Sequence, residues 1–150
     1  MGIQKKLTQI VASFFGVGYL PLCPGTWASA AGVVLAWFLA DMLVYWAVLC
    51  CLAGFWACRG ARETFDSKDP GAFVMDEVCG MMLSVLWLPR TLVLYAAAFV
   101  LFRLLDIWKP WPISRIQASV RPWSIMGDDL LAGVFANLLL CSFIAVSGRF

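Results

Sequence analysis

The chain has no histidine among its 150 residues. That removes a Ser-His-Asp triad, a histidine nucleophile and the usual zinc sites. Charge is scarce as well: 13% of residues, against about 25% in an ordinary soluble domain, while hydrophobic residues reach 63% against about 45–50%. A soluble protein this small has too little interior to hide so much apolar surface, so a bilayer is the expected solvent. The net charge of +2, without a basic stripe, gives no reason to expect nucleic acid. The cysteines (Cys23, Cys50, Cys51, Cys58, Cys79 and Cys141) contain no CxxC pair and lie mostly in apolar runs, where reduced thiols pack as small hydrophobes. Absent too are the C-x5-R phosphatase loop, a DxDx[TV] nucleophile, a Walker sequence and the spaced aspartates of membrane alcohol-phosphotransferases. Gly16-Val-Gly18 does not extend to GxGxxG. Lys5 and Lys6 precede an apolar stretch, but no convincing cleavage site follows, so the segment is expected to be retained.

What is present is apolar sequence cut by proline, glycine and charge. The pattern predicts helices over residues 1–20, 27–40, 42–58, 76–88, 91–105 and 129–146, with a short one near 114–120. Thr26 is placed to cap the second of these. Ala28, Gly32 and Ala36 recur at spacing four, which suits close helix packing in lipid. The apolar runs are about 11 to 18 residues long, short of the ~20 that cross a membrane. The expected fold is all-α: a single domain over residues 1–150, a compact polytopic membrane bundle with four or five short spans.

The polar residues are unevenly placed. If the apolar segments alternate in direction, one face holds the N-terminus and segments 59–76 and 106–129. With Glu77 and Arg103 at the adjoining helix ends, that face carries nine of the eleven Lys and Arg residues and eight of the nine acids. The positive-inside rule assigns it to the cytoplasm. Asp76-Glu77 and Asp128-Asp129 each precede an apolar run there, and Asp106 follows one together with Lys109.

Carboxylates, a lysine and the glycine turn Pro24-Gly25-Thr26 are thus the chemistry on offer. Hard cations such as Mg2+ take oxygen ligands and share them with substrate phosphate. Asp76, Glu77, Asp106, Asp128 and Asp129 are the candidate metal ligands and catalytic acids. Lys109 can neutralise phosphate, with Arg103 or Arg115 assisting. Hydrolysis or transfer of a phosphoryl group on a lipid follows, with metal-activated water as nucleophile and an aspartyl-phosphate as rival. A small cation transporter or channel component would also use buried acids, but acids at one face rather than mid-membrane disfavour it. A lipid phosphotransferase is the other alternative. Each piece has a plainer meaning: acid pairs stabilise helix starts, Asp106 can pair with Arg103 and Lys109 along a helix, Pro24-Gly25-Thr26 can simply start one, and Trp108, Trp111 and Trp123 can form an interfacial belt.

Four motifs in order carry a family resemblance: Gly16-x-Gly18-x-x-Pro21-x-x-Pro24-Gly25-Thr26, Asp69-x-Gly71-x-x-Val74-x-Asp76-Glu77-x-x-Gly80, Phe102-Arg103-x-x-Asp106-x-x-Lys109-Pro110-x-Pro112-Ile113 and Asp128-Asp129-x-x-Ala132-Gly133. Over most of its length the chain resembles the bacterial phosphatidylglycerophosphatase A family. The resemblance implies a Mg2+-dependent enzyme of the inner membrane that releases the terminal phosphate of phosphatidylglycerophosphate to give phosphatidylglycerol. It implies metal or acid–base roles for the five acids and phosphate contact for Lys109. The approach to the last acid pair, residues 121–127, departs from the family's glycine-rich pattern and reads as a stiffer turn.

Overall fold

The computed structural model describes residues 2–65, 71–119, 121 and 123–148, and all regular structure among them is helical. The α-helices are α1 (Gly2–Ala12), α2 (Pro24–Phe38), α3 (Leu43–Phe65), α4 (Met75–Ser84), α5 (Leu92–Trp108), α6 (Ile113–Gln117) and α7 (Ser124–Ser147), with 3-10 turns at Val17–Tyr19 and Ala40–Met42. Asp66, Lys68, Asp69, Pro70, Val120 and Arg149, which enter the sequence reading, lie outside the described residues, as do the side chains of Arg62 and Glu63.

Several helix boundaries differ from expectation, each for a local reason. The first helix stops at Ala12 instead of running to residue 20. Phe14 and Phe15 take positive φ, and the chain folds back so that Gly18 N–H reaches Ser13 O at 2.9 Å. Helix α2 begins at Pro24, where a fixed φ and a missing N–H cost nothing. Thr26 therefore lies inside the first turn, its N–H bonded to Cys23 O, and does not cap the helix. Helix α3 runs about two turns past residue 58, since Arg59 and its neighbours are adequate helix formers. Helix α4 ends early because Asn137 Nδ2 donates to Ser84 O (3.2 Å) and Leu86 O (2.7 Å), satisfying carbonyls the helix would otherwise need. Thr91 caps α5, accepting from Leu94 N–H, and Lys109 ends it in the left-handed region just before Pro110. Helix α7 starts at Ser124, five residues earlier than expected. The stretch that reads as a stiff turn is partly its first turn.

Helix α4 is the axis of the bundle. Eight of its ten residues are buried. It lies parallel to α2: Gly25 meets Glu77, and Gly32 meets Val78 and Met81. Ala28, Gly32 and Ala36 are all buried on that side, as their spacing predicts. Helix α4 is also parallel to α7, because Gly80 backs onto Gly133 and Asn137 reaches the α4 C-terminus. Helix α5 runs antiparallel to α2, with Arg103 near Gly25 and Tyr95 against Trp37 at a centroid distance of 5.2 Å. Helix α3 returns antiparallel to α7, placing Gly54 beside Met126. Thus the N-termini of α2, α4 and α7 and the C-terminus of α5 meet at one end.

Two helical segments, Ala40–Ala61 and Ser124–Ser147, are long and apolar enough to cross a membrane. Helices α2, α4 and α5, with 15, 10 and 17 residues, fall short of the ~20 that a straight crossing takes, so two of the expected four or five spans have full crossing length. Both candidate segments are only 28% buried within the molecule, unlike the core helices of a soluble protein.

Candidate active site

The geometry of the site starts from two glycines. A Cβ on Gly133 would strike the carbonyl of Gly80, and a Cβ on Gly80 would lie 2.6 Å from both Asp129 O and a Phe102 ring carbon. Only hydrogen at both positions lets α4 and α7 touch backbone to backbone. One helical turn above each glycine stands an acid: Asp76 is four residues before Gly80, and Asp129 four before Gly133. The crossing therefore brings two carboxylates from distant sequence together. With Glu77 they form a trio whose oxygens lie within 4.8 Å of one another. Gly25 supplies the third close approach, since a Cβ there would occupy the place of Glu77 Oε1.

A second group lies beside the trio. Arg103 Nη1 donates to Asp106 Oδ2 at 2.7 Å. Lys109 Nζ pairs with Asp128 Oδ2, with Asp106 Oδ1 at 3.5 Å and with Asp129 Oδ1 at 3.7 Å. The left-handed turn at Lys109, φ 43°, lets a residue at the very end of α5 reach all three acids. The side chain thereby bridges α5 to α7.

Asp76, Asp106, Asp128 and Asp129 are all buried. Five carboxylates thus face two cations, Arg103 and Lys109, leaving three formal negative charges uncompensated in a low-dielectric place. The titrations respond accordingly. Burial pushes the Asp76 carboxyl well above the usual range, and Glu77 beside it adds to the shift. Burial raises Glu77 too, aided by Asp106 and opposed by its hydrogen bond with Asp76 and by Arg103. Burial pulls Lys109 down, but the hydrogen bond to Asp128 and the charges of Asp129, Asp128 and Asp106 outweigh it, so the lysine is held firmly cationic. Glu77 Oε2 and Asp128 Oδ1 are buried without a hydrogen-bond partner. A hard divalent cation fits this donor set: oxygen ligands only, excess negative charge, and orphaned lone pairs.

These groups line a cavity of about 460 Å³. Of the residues singled out from sequence, Pro24, Gly25, Asp76, Glu77, Arg103, Asp106, Lys109, Asp128 and Asp129 lie on its wall. Thr26 and Arg115 are exposed and do not. The capping interpretation fails for Asp128-Asp129, which lie beyond the first turn of α7. Asp76 and Glu77 do stand in the first turn of α4, where Asp76 Oδ1 accepts from Glu77 N–H at 3.1 Å. Sequence reasoning missed the opposite wall, formed by Gln117, Ser119 and Ser124 at the α6–α7 connection. Polar residues in an irregular stretch give no signal of which way they face.

The model of the family described as Phosphatidylglycerophosphatase A matches residues 10–144. The chain belongs to the phosphatidylglycerophosphatase A family. Phosphatidylglycerophosphatase A of Escherichia coli is 35% identical to it over 141 residues, covering 88% of this chain and 80% of that protein. The Haemophilus influenzae protein of the same name is 33% identical, covering 88% and 85%. A Bacteroides thetaiotaomicron protein, whose name carries a provisional assignment as a phosphatidylinositol-3-phosphatase, is 32% identical, covering 89% and 91%. No solved structure matches the chain. This family membership makes the chain a lipid phosphatase, and the acidic cavity is its candidate active site.

Proposed function

We propose that this family member hydrolyses the terminal phosphate of phosphatidylglycerophosphate with Mg2+, at a membrane surface. The observation that carries the reading is the buried acidic surplus: five carboxylates against two cations, three of them within 4.8 Å of one another, beside a lysine and an arginine that can face phosphate. Asp76, Glu77 and Asp129 would hold the cation. A divalent ion bound there neutralises phosphoryl charge and acidifies water. Lys109 and Arg103 orient the phosphate from the α5 side while Asp106 fixes both of them. Asp128 is held through Oδ2 by Lys109, which leaves Oδ1 free to accept a proton from the attacking water. The water oxygen bonds to phosphorus, the P–O bond to glycerol breaks, and the proton passes on to the departing glycerol oxygen.

The bilayer reading rests on the outer surface. Trp46, Leu49, Leu52 and Phe55 on α3 and Leu138, Leu139 and Phe143 on α7 are exposed, far more apolar area than a soluble monomer shows. Trp27, Trp108, Trp111 and Trp123 are exposed around the end that bears the site, the place of an interfacial belt. The sidedness of Lys and Arg supports a cytoplasmic position for that end, at an inner membrane.

The test is phosphate release from phosphatidylglycerophosphate in mixed micelles, with Mg2+, with EDTA, and with phosphatidylinositol 3-phosphate as competitor. Release with Mg2+ and none with EDTA is expected. Release that ignores EDTA would refute the metal role. Preference for the inositol lipid would move the substrate to the class named for the Bacteroides relative.

A further inference from the structure

An apolar groove of about 400 Å³ runs along the outside of the bundle between α2 and α5. Its walls include Ala30, Val34 and Trp37 on α2 and Tyr95, Ala96 and Phe99 on α5. These are the same two helices that bring Gly25 and Arg103 to the acidic cavity. The pair touches at two levels. Gly25 lies by Arg103 at the cavity end, and Trp37 meets Tyr95 edge-on at the far end. From Gly25 to Trp37 is twelve residues, roughly 18 Å of helix rise. That is close to one leaflet, half of the ~30 Å hydrocarbon core. At the far end Arg90 lies over the Trp37 ring, 5.3 Å from its centroid, and fixes it as a stop.

We propose that this groove receives one acyl chain of the lipid whose phosphate occupies the cavity, with Trp37 and Tyr95 as the terminus that measures its length. The inference builds on the lipid phosphatase reading. Three observations select a tail as the occupant: groove and polar cavity are built on the same two helices, the rise from Gly25 at the cavity to Trp37 at the groove's end is close to one leaflet, and the groove's lining has no charged side chain. A tail moving from bilayer to groove passes from hydrocarbon to hydrocarbon, so burial alone adds little. What the groove contributes is position. It orients the headgroup toward Lys109 and Arg103, and it discriminates by chain length through shape.

The experiment uses the full-length protein in micelles with a phosphatidylglycerol carrying a diazirine at the end of one palmitoyl chain. Cross-links are expected near Trp37 and Tyr95. They should fall by about fivefold in Ala96→Trp, where a ring fills the groove at an exposed position, and the same variant should lower the ratio of dipalmitoyl to dioctanoyl substrate turnover by a similar factor. Trp37→Ala should shift preference toward longer chains. Labelling spread evenly over α3 and α7, labelling undiminished by Ala96→Trp, or cross-links joining two protein copies across the groove would each overturn the proposal. Because the labelling needs no turnover, absence of phosphate release would count against the phosphatase reading while the cross-links still decide the groove.

Discussion

At the scale of single residues, Lys109 is the most constrained group in the site. Its ammonium is compact and has three donors, matching three carboxylates in different directions. A planar guanidinium has the wrong shape for that task, so Lys109→Arg should lose activity along with Lys109→Gln, each by about 10²-fold or more in kcat/KM. Lys109→Gln should also lower the stability of the metal-free protein by about 3–5 kcal/mol, since it leaves buried acids uncompensated; denaturant melts in EDTA would show it. The trio gives a pH prediction. Asp76 and Glu77 have raised folded-state values, so between the ordinary carboxylate range and those values the native protein binds more protons than the unfolded chain. Stability without metal must then fall as pH rises above the ordinary carboxylate range. Mg2+ should cancel the slope by binding the deprotonated form, and melting curves at two pH values with and without Mg2+ would check this. The identities of these residues could be read from sequence, because an acid beside an oily segment is costly wherever it lies. Their partners could not: no spacing rule says that Lys109 meets Asp128 nineteen residues away, or that Arg115 faces outward.

At the scale of elements, the site is a consequence of one helix crossing. Gly80 and Gly133 fix the approach of α4 to α7, and each places an acid one turn above the contact. Gly133→Ala forces the helices apart and should cost about 1–3 kcal/mol. The larger effect is on geometry. A shift of about 1 Å between Asp76 and Asp129 should lower turnover by about 10²-fold without removing any catalytic group. Activity and thermal stability measured together would separate that from simple unfolding. Asn137→Ala tests the other end of the same contact. It leaves the carbonyls of Ser84 and Leu86 without their donor and should destabilise by about 1–3 kcal/mol. The small-residue face of α2 was legible because a spacing of four has one structural meaning. The starts of α2 and α7 were not, since Pro24 serves equally as a breaker and as a first helical residue, and Ser124 gains its place from hydrogen bonds to Ser119 O and Arg121 O.

At the scale of the whole molecule, the helices sort their chemistry by end. Helix starts from α2, α4 and α7 carry partial positive charge toward a cluster of acids, and the α5 terminus brings the cations. The alternation that predicts this sidedness from charge counts also describes the packed bundle. Two helical segments among the described residues reach full crossing length, because apolar runs in a short chain cover each other as well as lipid; α4 is apolar and almost wholly enclosed. What remains central is the proposal that Asp76, Glu77 and Asp129 form a cation site before any substrate arrives. Mn2+ binding followed by electron paramagnetic resonance tests this most directly, on the wild-type protein and on Asp129→Asn. Saturable binding in the wild type, weakened by about tenfold or more in the variant, is the predicted result. Equal binding by both proteins, or none by either, would contradict it.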